Sequence, residues 1–234
     1  MKTAVVTGAA GGIGSAISRR LAADGFSVAC IDLKEPEVPA PLHAYAADVR
    51  DAGSVAAAAA RIRADLGDPW MLVNAAGVFS IQLLPDLGEQ EWDRILDTNL
   101  KGPFLTCREF LPAMIAAKSG CVVNIASTAG LRGGRRRAAY CASKGGLVLL
   151  TRSLAIDHGS DGVRVNCVCP GLIDTEMADW IRHDAGAMAS FDAGTPAGRI
   201  GSPDEIAAAV AFLASDDSSY LQGSVVTVDG GVTA

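Results

Sequence analysis

The sequence predicts an α/β fold, a single-domain doubly wound parallel sheet, and three observations carry that expectation. Apolar runs of strand length alternate with helical stretches along all 234 residues. The first run opens into a glycine-rich loop and a helix, and the run after it ends in an acid. No linker, internal repeat or low-complexity segment divides the chain, and α/β sheets of this length commonly form one domain, here 1–234.

Each element has its own signal. Thr3-Ala4-Val5-Val6-Thr7 reads as a short buried strand, and Gly8-Ala9-Ala10-Gly11-Gly12-Ile13-Gly14 as the loop that follows. Ile13, Ile17 and Leu21 then share one face of a helix that ends near Gly25. Phe26 to Asp32 is the second strand. Such glycines let a backbone approach a pyrophosphate at the helix N-terminus, and an acid ending the next strand can bond an adenosine ribose. A dinucleotide-binding unit is therefore expected. A carboxylate at Asp32 suits NAD and repels a 2′-phosphate by about a few kcal/mol at an effective dielectric near 20.

Residues 33–41 carry three prolines, so a loop is expected between the second and third strands where a helix would normally stand. The third strand runs from about Leu42 to Ala46. An Ala-rich helix follows from Asp51 to Leu66, then the strand Trp70-Met71-Leu72-Val73, ending in Asn74-Ala75-Ala76-Gly77. Glu91 to about Lys118 reads as a helix distorted at Asn99, Gly102 and Pro103. Cys121 to Ala126 is a strand ending at Ser127, Ala138 to about His158 a helix, and Val163 to Val168 a strand. From about 172 to 202 the chain is irregular but carries Met177, Trp180, Met188 and Phe191, which suits a lid over a substrate. His183 there reads as a surface residue. Pro203 starts a last helix to about Ala214, and Val225 to Val228 is the last strand.

Composition narrows the function classes. The net charge of −6 argues against a general nucleic-acid binder, and Arg135-Arg136-Arg137 is the one basic run. No apolar run approaches the roughly 18 residues of a membrane span. The strand-like run begins directly after Lys2, which leaves no room for a signal peptide. Six scattered cysteines without zinc-type spacing read as small buried hydrophobes in a reducing cytoplasm, and no metal is expected.

The chemistry concentrates in Tyr140-Cys141-Ala142-Ser143-Lys144, with Ser127 thirteen residues before the tyrosine. Tyr and Lys four apart lie on one helix face, one turn over the other. A phenol with a reference pKa of about 10 is a poor base at neutral pH, and a neighbouring ammonium favours its ionised form. With a serine hydroxyl to hold a carbonyl or alcohol oxygen, the three make a proton-transfer site for alcohol–ketone chemistry.

Across its whole length the chain resembles the short-chain dehydrogenase/reductase family. Thr7-Gly8-x-x-x-Gly12-Ile13-Gly14, Asp48-Val49, Asn74-Ala75-Ala76-Gly77, Asn99, Ser127, Tyr140-xxx-Lys144 and Pro170-Gly171-x-Ile173-x-Thr175 carry the resemblance. It implies a Rossmann-type domain with a seven-stranded parallel sheet, assembled as a homotetramer. Tyr140 would be the general acid/base, Ser127 would orient the substrate oxygen, and Lys144 would lower the phenol pKa and bond the nicotinamide ribose. Asn99 would hold a water linking Lys144 to solvent. Asp32 would bind the adenosine ribose, Asp48 and Val49 the adenine, and Ile173 and Thr175 the carboxamide of the nicotinamide. Gly8, Gly12, Ile13, Gly14, Asn74, Ala75, Gly77, Pro170 and Gly171 complete the expected cofactor site.

The function expected is NAD-dependent oxidation of a secondary alcohol, a cyclic diol or another hydroxy compound. An NADPH-dependent 3-oxoacyl-thioester reductase is the alternative; it would prefer a basic residue near Gly11 or in place of Asp32, and neither is present. A non-catalytic nucleotide sensor is the alternative of another class. The short connection after Asp32 looks like that of dihydrodiol-oxidising members, in which case Arg132 and Arg135 to Arg137 could attract a carboxylate. The later arginines read more simply as a solvated helix start or a subunit contact.

Overall fold

Every residue of Thr3–Thr7 (β1), Met71–Asn74 (β4) and Gly120–Ile125 (β5) is buried. Strands buried on both faces belong inside a covered parallel sheet. The computed structural model, which describes residues 1–182, 186 and 194–234, places them there. With Ser27–Asp32 (β2), His43–Ala46 (β3), Val163–Pro170 (β6) and Val225–Val228 (β7) they form one parallel sheet of seven strands, in the order β3-β2-β1-β4-β5-β6-β7.

Side-chain alternation sorts the core into two layers. Ala4, Val6, Val28, Met71 and Val123 face Gly12–Ala23 (α1) and the C-terminal helix Pro203–Ala214, through Ile17, Leu21, Ile206 and Leu213. Their neighbours Val5, Ile31, Leu72, Val122 and Val165 face Ala52–Leu66 (α2), Gly102–Ala116 and Ala138–His158, through Ile62, Phe110, Met114 and Ala155. Each large apolar side chain so buried contributes about 1.5–3 kcal/mol. Helix ends are signalled locally: Asp51 accepts the Ser54 N–H at 2.6 Å, and Ser202 with Glu205 closes a capping box.

Between β2 and β3 no helix intervenes; residues 33–42 run as bends and a turn. The distorted helix resolves into Glu89–Leu96 (α3), a π-turn Asp97–Lys101, and Gly102–Ala116 (α4). Pro103 lacks the N–H that an α-turn would give the Asn99 carbonyl, which is the physical cause of the break. Ala138–His158 is α5. Strand β6 runs past Val168 through Cys169 and Pro170. The segment after it is less irregular than its glycines suggest: a 3-10 turn Glu176–Ala178 leads into Asp179–Arg182 (α6). His183, Met188 and Phe191 lie outside the described residues. The C-terminal helix is α7.

One buried polar chain ties the α4 and α5 layer to the sheet. Thr106 Oγ1 donates to Asn74 Oδ1 at 2.6 Å, Asn74 Nδ2 to Asn124 Oδ1 at 2.8 Å, and Asn124 Nδ2 to Thr151 Oγ1 at 2.9 Å. Replacing Asn124 by Ala breaks two of these bonds and leaves their partners dry. We expect a loss of about 2–4 kcal/mol and a melting temperature lower by about 4–16 °C for a chain of this size. An unchanged thermal melt would show that water repairs the gap.

Candidate active site

The strand order doubles back at β1 and β4, and in such sheets ligands bind at the C-terminal strand ends beside that reversal. Both β1 and β4 end in loops pinned to each other. The Thr7 hydroxyl accepts the N–H groups of Ala75 and Ala76, both at 3.2 Å. Gly8 follows with φ +67°, and a Cβ there would stand 2.6 Å from the Ala76 Cα. Only glycine fits so tight a crossing. A Cβ on Gly12 would stand 2.7 Å from Thr175 Cγ2, so the loop also closes against the segment after β6.

Above this crossing lies a cleft of about 570 Å³, lined by Gly8, Gly12, Ile13, Gly14, Asp32, Asp48, Val49, Ala75, Gly77 and Thr175. A glycine loop at the start of α1, with an acid at the end of β2, fits a dinucleotide. Asp32 is held in place by the N–H groups of Ala10 at 2.9 Å and Leu33 at 2.8 Å. The Asp48 carboxylate is engaged otherwise: Arg50 donates to it from Nε and Nη2, at 2.9 and 2.7 Å, and holds its pKa below the usual range. Asn74 is the one expected β4 residue that does not reach the cleft. It is 2% exposed and points into the helix layer, where its amide is spent on Thr106 and Asn124.

A second cavity of about 430 Å³ adjoins the first and shares Ile13, Ala75, Gly77, Thr175 and Met177 with it. Ser127, Tyr140, Lys144, Pro170, Gly171 and Ile173 all line it. Ser127 ends the connection from β5; its hydroxyl accepts the Ala129 N–H at 3.1 Å and, near the Tyr140 phenol, favours the phenolate. Burial outweighs that influence and pushes the phenol pKa up; the Arg137 charge also opposes the rise. The expected influence of Lys144 is absent from this balance. Its Nζ is 5.9 Å from the phenol ring centroid and donates instead to the Ile125 carbonyl at 2.7 Å. Lys144 is 4% exposed, and desolvation pushes its pKa down to about 8.

Asn99 sits in the π-turn, fully buried and behind this wall. Its Oδ1 accepts the Val78 N–H at 2.8 Å, and its Nδ2 donates to the Val78 carbonyl at 2.9 Å and Ser143 Oγ at 3.1 Å. The amide therefore braces the loop after β4 against α5. Two wall residues had no motif to announce them: Phe79, in T-shaped contact with Tyr140 at 4.9 Å, and Val232 near the C-terminus; of the arginines expected to be able to attract a carboxylate, Arg132 and Arg137 line the wall. The apolar character of Trp180 and Met177 did mark the segment that supplies them. Among the described residues no cluster of His, Cys, Asp or Glu could hold a metal ion.

A family sequence profile described as Enoyl-(Acyl carrier protein) reductase matches residues 8–233. The chain belongs to the short-chain dehydrogenase/reductase family. It is 38% identical to the 2-(R)-hydroxypropyl-CoM dehydrogenase of Xanthobacter autotrophicus, covering 100% of this chain and 99% of that one. It is 36% identical to a 3-oxoacyl-[acyl-carrier-protein] reductase of Chlamydia muridarum, covering 99% and 97%. A solved structure of 4-hydroxyisoleucine dehydrogenase with NADH superimposes with a TM-score of 0.94 at 30% identity, over 100% of this chain and 99% of that one. As a short-chain dehydrogenase/reductase the protein is an oxidoreductase of CH–OH groups that uses a nicotinamide cofactor.

Lys144 makes a signature in stability. Its ordinary pKa is 10.5 and its folded value about 8, so between them the unfolded chain holds a proton that the folded chain has released. Stability from this group therefore rises with pH across that window. Unfolding in urea should show the wild type gaining on Lys144→Met by up to about 1.4 kcal/mol per pH unit above pH 8. Parallel stability curves would mean that the ammonium is not desolvated.

Proposed function

We propose that the protein oxidises a secondary alcohol with NAD, reversibly, and that Tyr140 is the acid/base. The observation that carries this reading is the convergence of Ser127, Tyr140 and Lys144 on the wall of one cavity that opens into the dinucleotide cleft. A secondary hydroxyl placed there meets one donor and one proton acceptor. Ser127 orients the oxygen, and Tyr140 takes its proton on oxidation and returns it on reduction. The nicotinamide, bound in the cleft, supplies the hydride acceptor.

Lys144 acts from behind. Fixed on the Ile125 carbonyl at 2.7 Å, it holds a positive charge one helical turn from the phenol and beside Gly77, where a nicotinamide ribose would lie. The water relay to solvent falls to the Asn99 main chain, because its amide is already committed. Gly8, Gly12 and Gly14 would cradle the pyrophosphate, Asp32 the adenosine ribose, and Val49 with Asp48 the adenine. Ile173 and Thr175 would hold the carboxamide, with Pro170 and Gly171 below it. The segment 172–202 would close over the substrate.

NAD is preferred because the Asp32 carboxylate, held by the Ala10 and Leu33 N–H groups, forms no ion pair among the described residues, with Lys34, two residues on, the one nearby counter-argument. Arg50, which lines the same cleft, is committed to Asp48. The same point weighs against the 3-oxoacyl-thioester reductase reading, and the intact Tyr140–Lys144 pair weighs against a sensor. The apolar faces left open on α4 and α5, with Phe104, Leu149 and Ile156 exposed, support assembly as a homotetramer. Free cysteines suit a cytoplasmic setting. No described helix is long and apolar enough to cross a membrane.

Reduction of NAD and NADP, followed by absorbance against a panel of secondary alcohols, diols and hydroxy acids, tests the reading. We expect turnover with NAD, lowered about 100-fold or more in Tyr140→Phe with NAD binding retained. Asp32→Ala should cut the preference for NAD over NADP about tenfold or more. A wild type that prefers NADP would overturn the cofactor assignment.

A further inference from the structure

The substrate cavity is lined by three cationic side chains, Arg132, Arg137 and Lys144, and by no carboxylate among the described residues. Two of the three are engaged. Lys144 donates to the Ile125 carbonyl at 2.7 Å, and Arg132 donates from Nη1 to the Val232 carbonyl at 3.1 Å, near the Asp229 charge. Arg137 is not. Its side chain forms no hydrogen bond or ion pair with a described residue, and its Nε is buried without a partner. A buried donor left unmade is costly, and native structures keep few of them without a use.

The site around this arginine is built. Arg136 before it adopts φ +60°, and its carbonyl accepts the Gln82 N–H at 2.9 Å, which fastens the loop to the segment after β4. Gly134 leaves room for the Arg137 stem: a Cβ there would stand 3.1 Å from its Cδ. The guanidinium then lies over two aromatic rings, 5.5 Å from Phe79 and 5.0 Å from Trp180. Phe79 is also the ring against Tyr140, at 4.9 Å, so the free guanidinium and the reacting phenol flank one ring.

We propose that Arg137 sets substrate specificity and that the substrate is a small hydroxy acid, whose carboxylate docks on the guanidinium while its hydroxyl sits between Ser127 and Tyr140. This rests on the alcohol-oxidation reading above. Arginine grips a carboxylate with a rigid fork of N–H groups, and the two terminal nitrogens of Arg137 can supply that fork to the cavity it lines while the Nε–H stays buried. Aromatic walls hold that pair away from water and strengthen it. A cavity of about 430 Å³ fits a compact molecule with both groups a few bonds apart. The carboxylate takes no part in the bond changes and keeps its charge throughout.

The test pairs 2-, 3- and 4-hydroxybutyrate with their methyl esters, assayed with NAD and NADP on the wild type, Arg137→Met, Arg137→Lys and Arg132→Met. The wild type should favour the acids. Arg137→Met should raise KM for the preferred acid about tenfold or more beyond its effect on the matching ester, and Arg137→Lys should recover part of the loss. Arg132→Met should move acid and ester together. Acid and ester falling equally in Arg137→Met, or a wild type that favours esters, would overturn the proposal while leaving alcohol oxidation standing. Butyrate titrated onto the protein, followed by tryptophan fluorescence, reads the same site without turnover. Saturable binding lost in Arg137→Met supports the proposal even if no alcohol is oxidised, and binding that the variant retains refutes it.

Discussion

A buried ammonium must find an oxygen, and in this fold Lys144 finds the carbonyl that ends β5. That one bond fixes how α5 lies across the sheet. Because Tyr140 is one turn earlier on the same helix, it also fixes the phenol beside Ser127, the residue two positions past the accepting carbonyl. The arrangement holds the three polar side chains of the cavity wall, Ser127, Tyr140 and Lys144, with two backbone segments, β5 with its outgoing loop and α5. It also has an electrostatic consequence: the same desolvation that demands the bond pulls the ammonium down to about 8, so its proton is less firmly held than a surface lysine's. The phenol, pushed up by its own burial, needs the help of Ser127 and of nearby positive charge to ionise.

The rest of the polar interior works to keep those segments still. Thr106, Asn74, Asn124 and Thr151 form a chain from α4 through β4 and β5 to α5. Asn99 does the same for the loop after β4, through Val78 and Ser143. Buried amides satisfied at both ends rigidify a layer that apolar contacts alone would let slide. The π-turn that carries Asn99 looks like a defect of the helix but places that amide where a regular helix would not.

Much of this was legible in the sequence because each signal had a local cause. Pro103 breaks a helix whatever surrounds it. The three prolines after Asp32 exclude one equally, and the glycine loop needs a positive φ at Gly8. Residues whose meaning depends on which way a side chain turns were not legible. Asn74 shares a motif with Ala75 and Gly77, yet strand alternation sends it into the helix layer while they border the cleft. Asp48 is engaged by Arg50 two residues on, and Asn99 by Val78 across the fold, and neither pairing has a periodicity or motif that marks it. Arg137 reads as one of three surface arginines until the left-handed turn at Arg136 carries its side chain inward over Phe79 and Trp180.

The arginines of the two cavities separate by whether they are paired. In the dinucleotide cleft, Arg50 gives its fork to Asp48 and Arg94 gives its own to Glu91, at 2.7 Å from both Nε and Nη2. Both guanidiniums are neutralised where they stand, which leaves the carboxylates of Asp32 and Glu176 to give the cleft a negative wall. Paired arginines of this kind shape a wall and offer little to an incoming anion, because any new partner must first displace a carboxylate already bound. In the adjoining cavity, Arg132 holds a backbone carbonyl, and Arg137 lies over the rings of Phe79 and Trp180 without a hydrogen-bond partner among the described residues. A cation over ring faces gains modestly from their quadrupoles and loses nothing when a carboxylate arrives from the open side. The two cavities therefore differ in sign, with the Asp32 carboxylate in the wall of one and the Arg137 guanidinium in the wall of the other.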